Sequence, residues 1–285
     1  TDYTKVKPHG QHPANTENAP DLISALLGWE TMRSWNIGFD LGMLNNRLTV
    51  SFDWFNRKTI NMVGPAPEIP VTLGANVPKM NNADMQSTGF ELDLGWRDRI
   101  KDFDYGVHLL LSDDRQKILK YPNTTGKINT WYVGKYNGDI WGFGTIGIAK
   151  SQEEMDAHLA SLPNGGQDAL GVKWGAGDIM YRDLNGDGKI SDGATLNDPG
   201  DKKVIGNTSP RFRFGLDLNA SWKGIDVRLF FQGVAKRDAW LNDNMFWGAT
   251  GGIWQSACFT SHLDFFREEG DDFWSANKDA YFPRI

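Results

Sequence analysis

Six stretches of the sequence alternate apolar and polar residues with a period of two, and this pattern constrains the fold more than any other feature. In one of them Phe90, Leu92 and Leu94 alternate with Glu91 and Asp93. Because successive side chains of a β-strand point to opposite faces, the pattern predicts strands with one apolar and one polar face. The stretches cover residues 35–43, 48–54, 90–97, 103–111, 211–222 and 225–233.

The lengths and connections of these stretches favour a membrane barrel. They run for seven to twelve residues, whereas a soluble strand has about five or six and a strand that crosses a bilayer needs about nine to eleven. Short turns at 45–46, 98–102 and 223–224 join them in pairs, and long connections at 59–86 and 115–209 separate the pairs. Short turns at one end and long loops at the other are typical of outer-membrane barrels.

The sequence therefore predicts an all-β chain. We interpret residues 1–285 as a segment of an antiparallel transmembrane β-barrel with short periplasmic turns and long extracellular loops. No confident strand is predicted from residue 237 onward. The alternative from the residues alone is a soluble β-sandwich with decorated loops.

The side chains of the predicted strands agree with a barrel. Charged residues on the polar faces would be costly toward lipid but tolerated in a watery lumen. They include Asp40, Asp53, Glu91, Asp93, Arg213, Asp217 and Arg228. Trp96, Phe103 and Trp222 lie beside the short turns, where an interfacial aromatic girdle is expected.

Composition excludes several classes of protein. The net charge of −6 argues against a nucleic-acid-binding protein, which would carry a basic stripe. A single cysteine, Cys258, excludes a disulfide framework and a multi-cysteine metal site. No apolar run is long enough for a transmembrane helix, and the first residues show no signal-peptide pattern.

One helix is predicted inside the connection 115–209, at about residues 151–163. Ser151 and Glu154 form a capping-box pattern at its start, and Pro163 ends it. Apolar or partly apolar residues then recur with helical spacing at Met155, His158, Leu159 and Leu162.

The same connection contains the sequence D-x-N-x-D-G, which predicts a calcium site. Side-chain oxygens of Asp183, Asn185 and Asp187 and the carbonyl of Lys189 would converge on one point, and Gly188 allows the sharp turn. Ala194 stands where an EF-hand has its bidentate Glu. Three acids could supply the missing ligand, and spacing does not choose among Asp192, Asp198 and Asp201. The alternative is an Asx-rich turn without metal.

Other motifs point to no chemistry. Residues 142–147 match G-x-G-x-x-G but lack the helix that a dinucleotide site needs, so we expect a glycine-rich strand or loop. No catalytic pair or nucleophile motif is recognisable, and His9 and His12 have no further ligand, so no enzyme activity is predicted. Aromatic residues of the loops could stack on sugars, contact a partner or form the loops' own core. They are Trp131, Tyr132, Trp141, Trp174, Trp240, Trp247 and Trp254.

Several stretches together resemble the SusC/RagA-type TonB-dependent outer-membrane transporters. They occur in the order of that family and span most of residues 29–235. The matching segments are 29–31, 36–40, 44–48, 52–59, 89–92, 178–188, 205–207, Pro210 and 223–226.

The resemblance implies a 22-stranded barrel in the outer membrane, plugged by an N-terminal domain. It further implies import of oligosaccharides or peptides, a SusD-like surface lipoprotein that acts as a lid, and energy supplied by TonB. Only part of the second half of such a barrel is present, without the plug or the TonB box. The rival hypotheses are a soluble or surface carbohydrate-binding β-sandwich and a surface hydrolase.

Overall fold

The computed structural model describes residues 27–65, 79–241, 246, 259–270 and 275–284. Within these residues the chain has ten strands, one α-helix (α1, Gln152–Ala160) and a short 3-10 helix, Thr260–Leu263. The strands are β1 Thr31–Met43, β2 Leu48–Gly64, β3 Met80–Ile100, β4 Phe103–Lys120, β5 Asp139–Phe143, β6 Thr145–Ile148, β7 Ile179–Tyr181, β8 Lys202–Asn207, β9 Arg211–Trp222 and β10 Ile225–Lys236.

Six of the strands form one antiparallel sheet in the order β1-β2-β3-β4-β9-β10. They are the six strands that the alternation predicts, so that prediction is confirmed. β9 pairs with β4, and the connection between them contains β5 to β8 and α1. The sheet is open within the described residues, with β1 and β10 at its edges. None of the described helices is long and apolar enough to cross a membrane.

Strands β2, β3 and β4 are longer than predicted, with 17, 21 and 18 residues. The connection predicted at 59–86 therefore begins only after Gly64 and ends before Met80, and the region predicted at 115–209 begins after Lys120. The extra residues lie at the loop end, because the paired strands start in register beside the short turns. At that end polar and apolar residues no longer alternate regularly, so the pattern does not reveal the strand.

The turns that join paired strands are tight and use left-handed backbone conformations. Asn45 and Asn46 have φ of 57° and 61°, and Lys223 with Gly224 has 47° and 86°. Both Asn and Gly tolerate positive φ, which explains these residues in hairpin turns. The turn predicted at 98–102 is shorter, since β3 continues to Ile100 and leaves Lys101 and Asp102 as the turn.

Residues 121–210, which we call the loop body, have a small core of their own. Two antiparallel pairs, β5 with β8 and β6 with β7, accompany α1. Fully or nearly fully buried Ala149, Met155 and Met180 form the core, and Leu159 and Trp174 pack against it. The Ser151 hydroxyl accepts from the Glu154 N–H, so the predicted cap is confirmed. The helix ends at Ala160 rather than at residue 163. Beyond its end the Leu162 N–H donates to the Leu159 carbonyl, which closes a tighter turn than that of an α-helix.

The loop body is attached to the loop end of β4. The Ile118 N–H donates to the Lys135 carbonyl at 2.8 Å, and the Gly134 N–H donates to the Ile118 carbonyl at 2.8 Å. Ile118 is fully buried, whereas most of the main sheet is not. The long strands therefore form a base on which the loop body packs.

Candidate functional site

One face of the six-stranded sheet is apolar across its whole width. The register brings apolar residues of all six strands into single rows, of which one contains Leu41, Val50, Leu94, Leu109, Leu216 and Phe231. The ends of this row are about half exposed, and Trp35 on β1 is 73% exposed. Apolar surface of this extent marks contact with lipid or another protein.

The opposite face carries the charged residues that the alternation assigned to a lumen. His108 Nε2 lies 2.6 Å from Asp93 Oδ1, and Arg228 Nε donates to Asp217 Oδ2 at 2.9 Å. The first pair joins β3 to β4 and the second joins β9 to β10, so each pair ties two neighbouring strands together. Paired charges on one face and apolar rows on the other agree with a water-facing and a lipid-facing side.

Aromatic residues lie at the turn end of the apolar face, as predicted. Phe103 is the cross-strand partner of Trp222, which is 51% exposed. The centroid of the Phe103 ring lies 5.8 Å from that of the Tyr105 ring. Trp96 lies between Leu48 and Val107, in the row that is four residues further along β4. Their place on the sheet matches that of the aromatic girdle of membrane barrels.

The structure brings the predicted calcium ligands together in one compact turn. Asp183 Oδ1 accepts from the Gly186 N–H at 2.6 Å and Oδ2 from the Gly188 N–H at 2.9 Å. Asn185 Oδ1 accepts from the Asp187 N–H at 3.0 Å. Gly186 and Gly188 both have positive φ, which explains the two glycines. The turn is thus Asx-rich, and its side-chain oxygens keep further lone pairs for a cation.

Of the three acids that could complete the site, Asp201 lies against the turn. It is fully buried, and its two oxygens accept from the N–H groups of Leu184 and Ser191, each at 2.7 Å. Asp192 pairs with Lys202 instead. Among the described residues no three His, Cys, Asp or Glu side chains are grouped so that they could hold a metal. The turn itself brings together two carboxylates and one amide, those of Asp183, Asp187 and Asn185, and the calcium assignment stays a prediction.

The backbone of the turn favours a charged Asp183. Partial burial raises the pKa of this carboxyl, but the N–H groups of Gly188, Gly186, Asp187 and Asn185 lower it more, so the net shift is downward. A carboxylate that stays ionised in mild acid suits both a turn closed by its own side-chain-to-backbone hydrogen bonds and a weak cation site.

Most of the loop aromatics that the structure describes are half-buried and contact other residues of the loop body, and Trp174 packs against its core. Trp141 Nε1 donates to the Tyr132 hydroxyl at 3.2 Å, and Trp174 Nε1 donates to the Gly171 carbonyl at 3.1 Å. The Trp131 ring packs 5.5 Å from Tyr121. Trp240 differs, since it is 62% exposed. The remaining candidates, Trp247 and Trp254, lie outside the described residues, as do His9, His12 and Cys258.

Two buried polar residues were missed by sequence reasoning. Gln167 is fully buried, where its Oε1 accepts from the Tyr181 N–H at 2.6 Å and its Nε2 donates to the Ile179 carbonyl at 3.2 Å. Lys135 donates to the carbonyls of Ile128 and Thr130, and burial lowers its pKa against the opposing effect of Asp139. Neither residue stands in a motif, so only the tertiary contacts reveal its role.

The G-x-G-x-x-G stretch runs through two consecutive strands that belong to different sheets, in agreement with the expected glycine-rich strand or loop. Gly142 belongs to β5, Gly147 belongs to β6, and Gly144 lies between them. The segment that follows is Ala149-Lys150-Ser151 and then α1, whose N-terminal groups are bonded by Ser151 and Glu154.

The sheet is antiparallel, its strands are long, and it is apolar on one face and charged on the other. With tight turns at one end and an elaborate loop at the other, these features define a segment of a membrane β-barrel. A family model described as TonB dependent receptor-like, beta-barrel, matches residues 1–235. The chain belongs to this family of outer-membrane β-barrel proteins, so its localisation to the outer membrane and the fold class are confirmed. A soluble β-sandwich is therefore wrong.

Named relatives agree with this family. The chain is 30% identical over 220 residues to TonB-dependent receptor P26 and 24% identical over 237 residues to receptor P3, both of Formosa agariphila. It is 25% identical over 239 residues to SusC of Bacteroides thetaiotaomicron. These matches cover 73–79% of this chain but only 20–22% of the relatives. The chain thus spans about a fifth of their length.

Solved structures show the same fold. The RagAB peptide transporter matches with a TM-score of 0.60 and 22% identity, over 90% of this chain and 26% of that chain. The RagAB peptide importer in its open-open state gives the same TM-score. The resemblance to the SusC/RagA type is therefore confirmed for the family and the fold.

Proposed function

We propose that this chain is part of a barrel that imports nutrients, either oligosaccharides or peptides, across the outer membrane with energy from TonB. The observation that carries the proposal is the uninterrupted apolar row across six strands opposite a face of paired charges. Such a sheet separates lipid from an aqueous path. Membership of the TonB-dependent receptor family supports import as the role of that path. The chain acts without catalysis in this proposal.

The partners follow from the relatives. SusC and RagAB support a SusD-like surface lipoprotein as the protein that covers the loop side, and TonB as the partner of the part of the receptor outside this chain. The loop body, together with the connections after β2 and β10, would lie outside the cell, and the turns at 45–46, 101–102 and 223–224 would face the periplasm.

Uptake in cells that carry the complete receptor tests the function. Growth on a single glycan or peptide source should require both the receptor and TonB, and complementation by the complete receptor should restore it. Affinity purification of the receptor in detergent should recover a SusD-like lipoprotein. Uptake that continues without TonB, or a receptor that purifies without any surface lipoprotein, would contradict the proposal.

We also propose that the turn at 183–189 binds one calcium ion whose role is structural. Asp183, Asn185, Asp187 and the Lys189 carbonyl would hold it, and waters would complete the shell. Hard oxygen ligands suit calcium and disfavour zinc. Without an acid at the twelfth position the affinity should be weak, on the order of 10⁻⁴ to 10⁻³ M, which extracellular calcium satisfies.

Calcium removal provides the test of this site. Replacement of both Asp183 and Asp187 by Ala should raise the protease sensitivity of the loop body to that of the parent protein in chelator, while the barrel stays folded. Loss of the hydrogen bonds from backbone N–H groups to the Asp183 carboxylate could by itself raise the protease sensitivity of the double variant. The decisive comparison is therefore the parent protein with and without millimolar calcium, and equal protease sensitivity in the two would refute the site.

A further inference from the structure

A small apolar cavity lies in the loops, between the β6–β7 pair and the segment 281–283. Its volume is about 230 Å³. Its lining includes Gly147, Ile148, Ile179, Phe246, Tyr281 and Phe282, and none of the described lining residues is charged. Cavities that hold whole small molecules have about 300–1,000 Å³. This one has room for a single side chain.

Within the part of the chain that the structure describes, the strand beside the cavity has an unpaired edge. β6 pairs only with β7, and among the described residues no third strand or isolated bridge joins either of them. Thr145 is exposed, and Ile146 is 55% exposed. A Cβ added to Gly147 would meet no atom within 4 Å. A glycine in a strand with open space around it allows another backbone to approach closely.

We propose that the edge of β6 and this cavity together form a subsite for an extended peptide segment of the substrate. The peptide main chain would pair with β6 as an added strand, and one apolar side chain would fill the cavity. Strand addition beside a side-chain pocket is an established mode of peptide recognition. This inference rests on the proposed function and selects peptides from the two substrate classes.

The lining argues against a sugar in the same place. Sugar recognition needs several converging hydrogen-bond groups, whereas the described lining offers only two polar side chains, the hydroxyls of Thr145 and Tyr281. A charged side chain would lose its hydration without a partner, since none of the lining residues that the structure describes carries an opposite charge. The cavity therefore selects an uncharged, apolar side chain.

Calorimetric titration of the complete receptor in detergent tests the subsite. The probes are a heptapeptide of alanine with a central leucine, the same peptide with a central aspartate, the leucine peptide N-methylated at alternate residues, and maltoheptaose. The leucine peptide should bind about tenfold or more tighter than the aspartate peptide, as expected for burial of one leucine side chain. N-methylation should weaken binding by a similar factor, because it removes main-chain donors.

Gly147→Leu supplies the matched variant. An added Cβ meets no atom within 4 Å, so the fold should be retained. A leucine side chain at this lining position should take space that the bound peptide needs, and it should weaken binding of the leucine peptide about tenfold or more. Gly28→Leu is the control, since Gly28 also has no atom within 4 Å of an added Cβ and lies away from the cavity. Unchanged thermal unfolding of both variants confirms that they fold.

Three results would overturn the subsite: equal affinity for the leucine and aspartate peptides, indifference to N-methylation, or binding of maltoheptaose that Gly147→Leu abolishes. The proposed function is judged separately by TonB-dependent growth. A receptor that supports such growth but fails these titrations refutes the subsite alone. A receptor that binds the leucine peptide but supports growth without TonB refutes the import function alone.

Discussion

Leu109 and Leu110 are neighbours on β4 that face opposite sides of the six-stranded sheet. Leu109 lies in an apolar row between Leu94 and Leu216. Leu110 lies on the charged face, opposite Asp93, and is 45% exposed. The same substitution, leucine to arginine, can therefore be made at one depth on both faces of one strand.

The position of Leu109 sets the size of the effect. It lies six residues after Phe103, the first residue of β4. At about 3.3 Å per residue and a tilt of about 40°, it lies about 15 Å from the turn end of the strand, close to the middle of an apolar band about 25 Å tall. Arginine at that depth on a lipid face costs about 2–4 kcal/mol.

Leu109→Arg should therefore lower the folding equilibrium constant of the complete receptor by a factor of about 30 to 1,000. Leu110→Arg should change stability by less than about 0.5 kcal/mol, because its guanidinium stays in water beside Asp93. Guanidinium unfolding of the receptor in phospholipid vesicles measures both. Equal losses, or a greater loss for Leu110→Arg, would show that the apolar rows do not face lipid.

Three further predictions concern the loops and turns. In a background without the native cysteine, an impermeant thiol reagent on intact cells should label a cysteine at Val172, which is 86% exposed, but not one at Lys223; labelling at Lys223 would reverse the sidedness. Gln167→Leu removes the partner of the Tyr181 N–H at a cost of about 1–3 kcal/mol, so exchange of that amide should accelerate about tenfold, and unchanged exchange would contradict the role. The pKa of Asp183 is lower in the folded protein, so this residue stabilises the turn fully above its unfolded pKa of 3.8, and the stabilisation is lost as the pH falls through the folded pKa. The pepsin sensitivity of the loop body should therefore rise below about pH 4. If an Asp183→Asn variant shows the same acid response, Asp183 is not its origin.

The part of the fold that contacts lipid could be predicted because lipid imposes a rule on each residue. Every second residue must be apolar, and the six runs from Trp35 to Gly233 obey that rule. Beyond the lipid-facing part of the sheet this rule no longer applies. The added residues of β3, from Met80, and of β4, to Lys120, therefore show no alternation of apolar and polar residues in the sequence. The same loss of pattern hid β5 to β8.

The candidate calcium turn shows a second limit. The spacing of Asp183, Asn185 and Asp187 predicted a turn with inward oxygens, and such a turn is present. The sequence left three acids open as further ligands, because their positions depend on how the chain folds back. Asp201 is the acid that reaches the turn, yet it bonds the N–H groups of Leu184 and Ser191. Local patterns fix local geometry, whereas tertiary folding decides which distant residue joins it.

A connection as long as the loop body loses much conformational entropy when it orders, at about 1–2 kcal/mol per residue for the backbone. Its own apolar core is small, with few fully buried side chains. Buried polar residues offset part of this cost, since Gln167 joins α1 to β7 through His158 and Ile179, and Asp201 closes the turn. Attachment to β4 at Ile118 and Gln116 contributes as well. A loop held by polar residues at a few points can change its exposed residues without losing its shape.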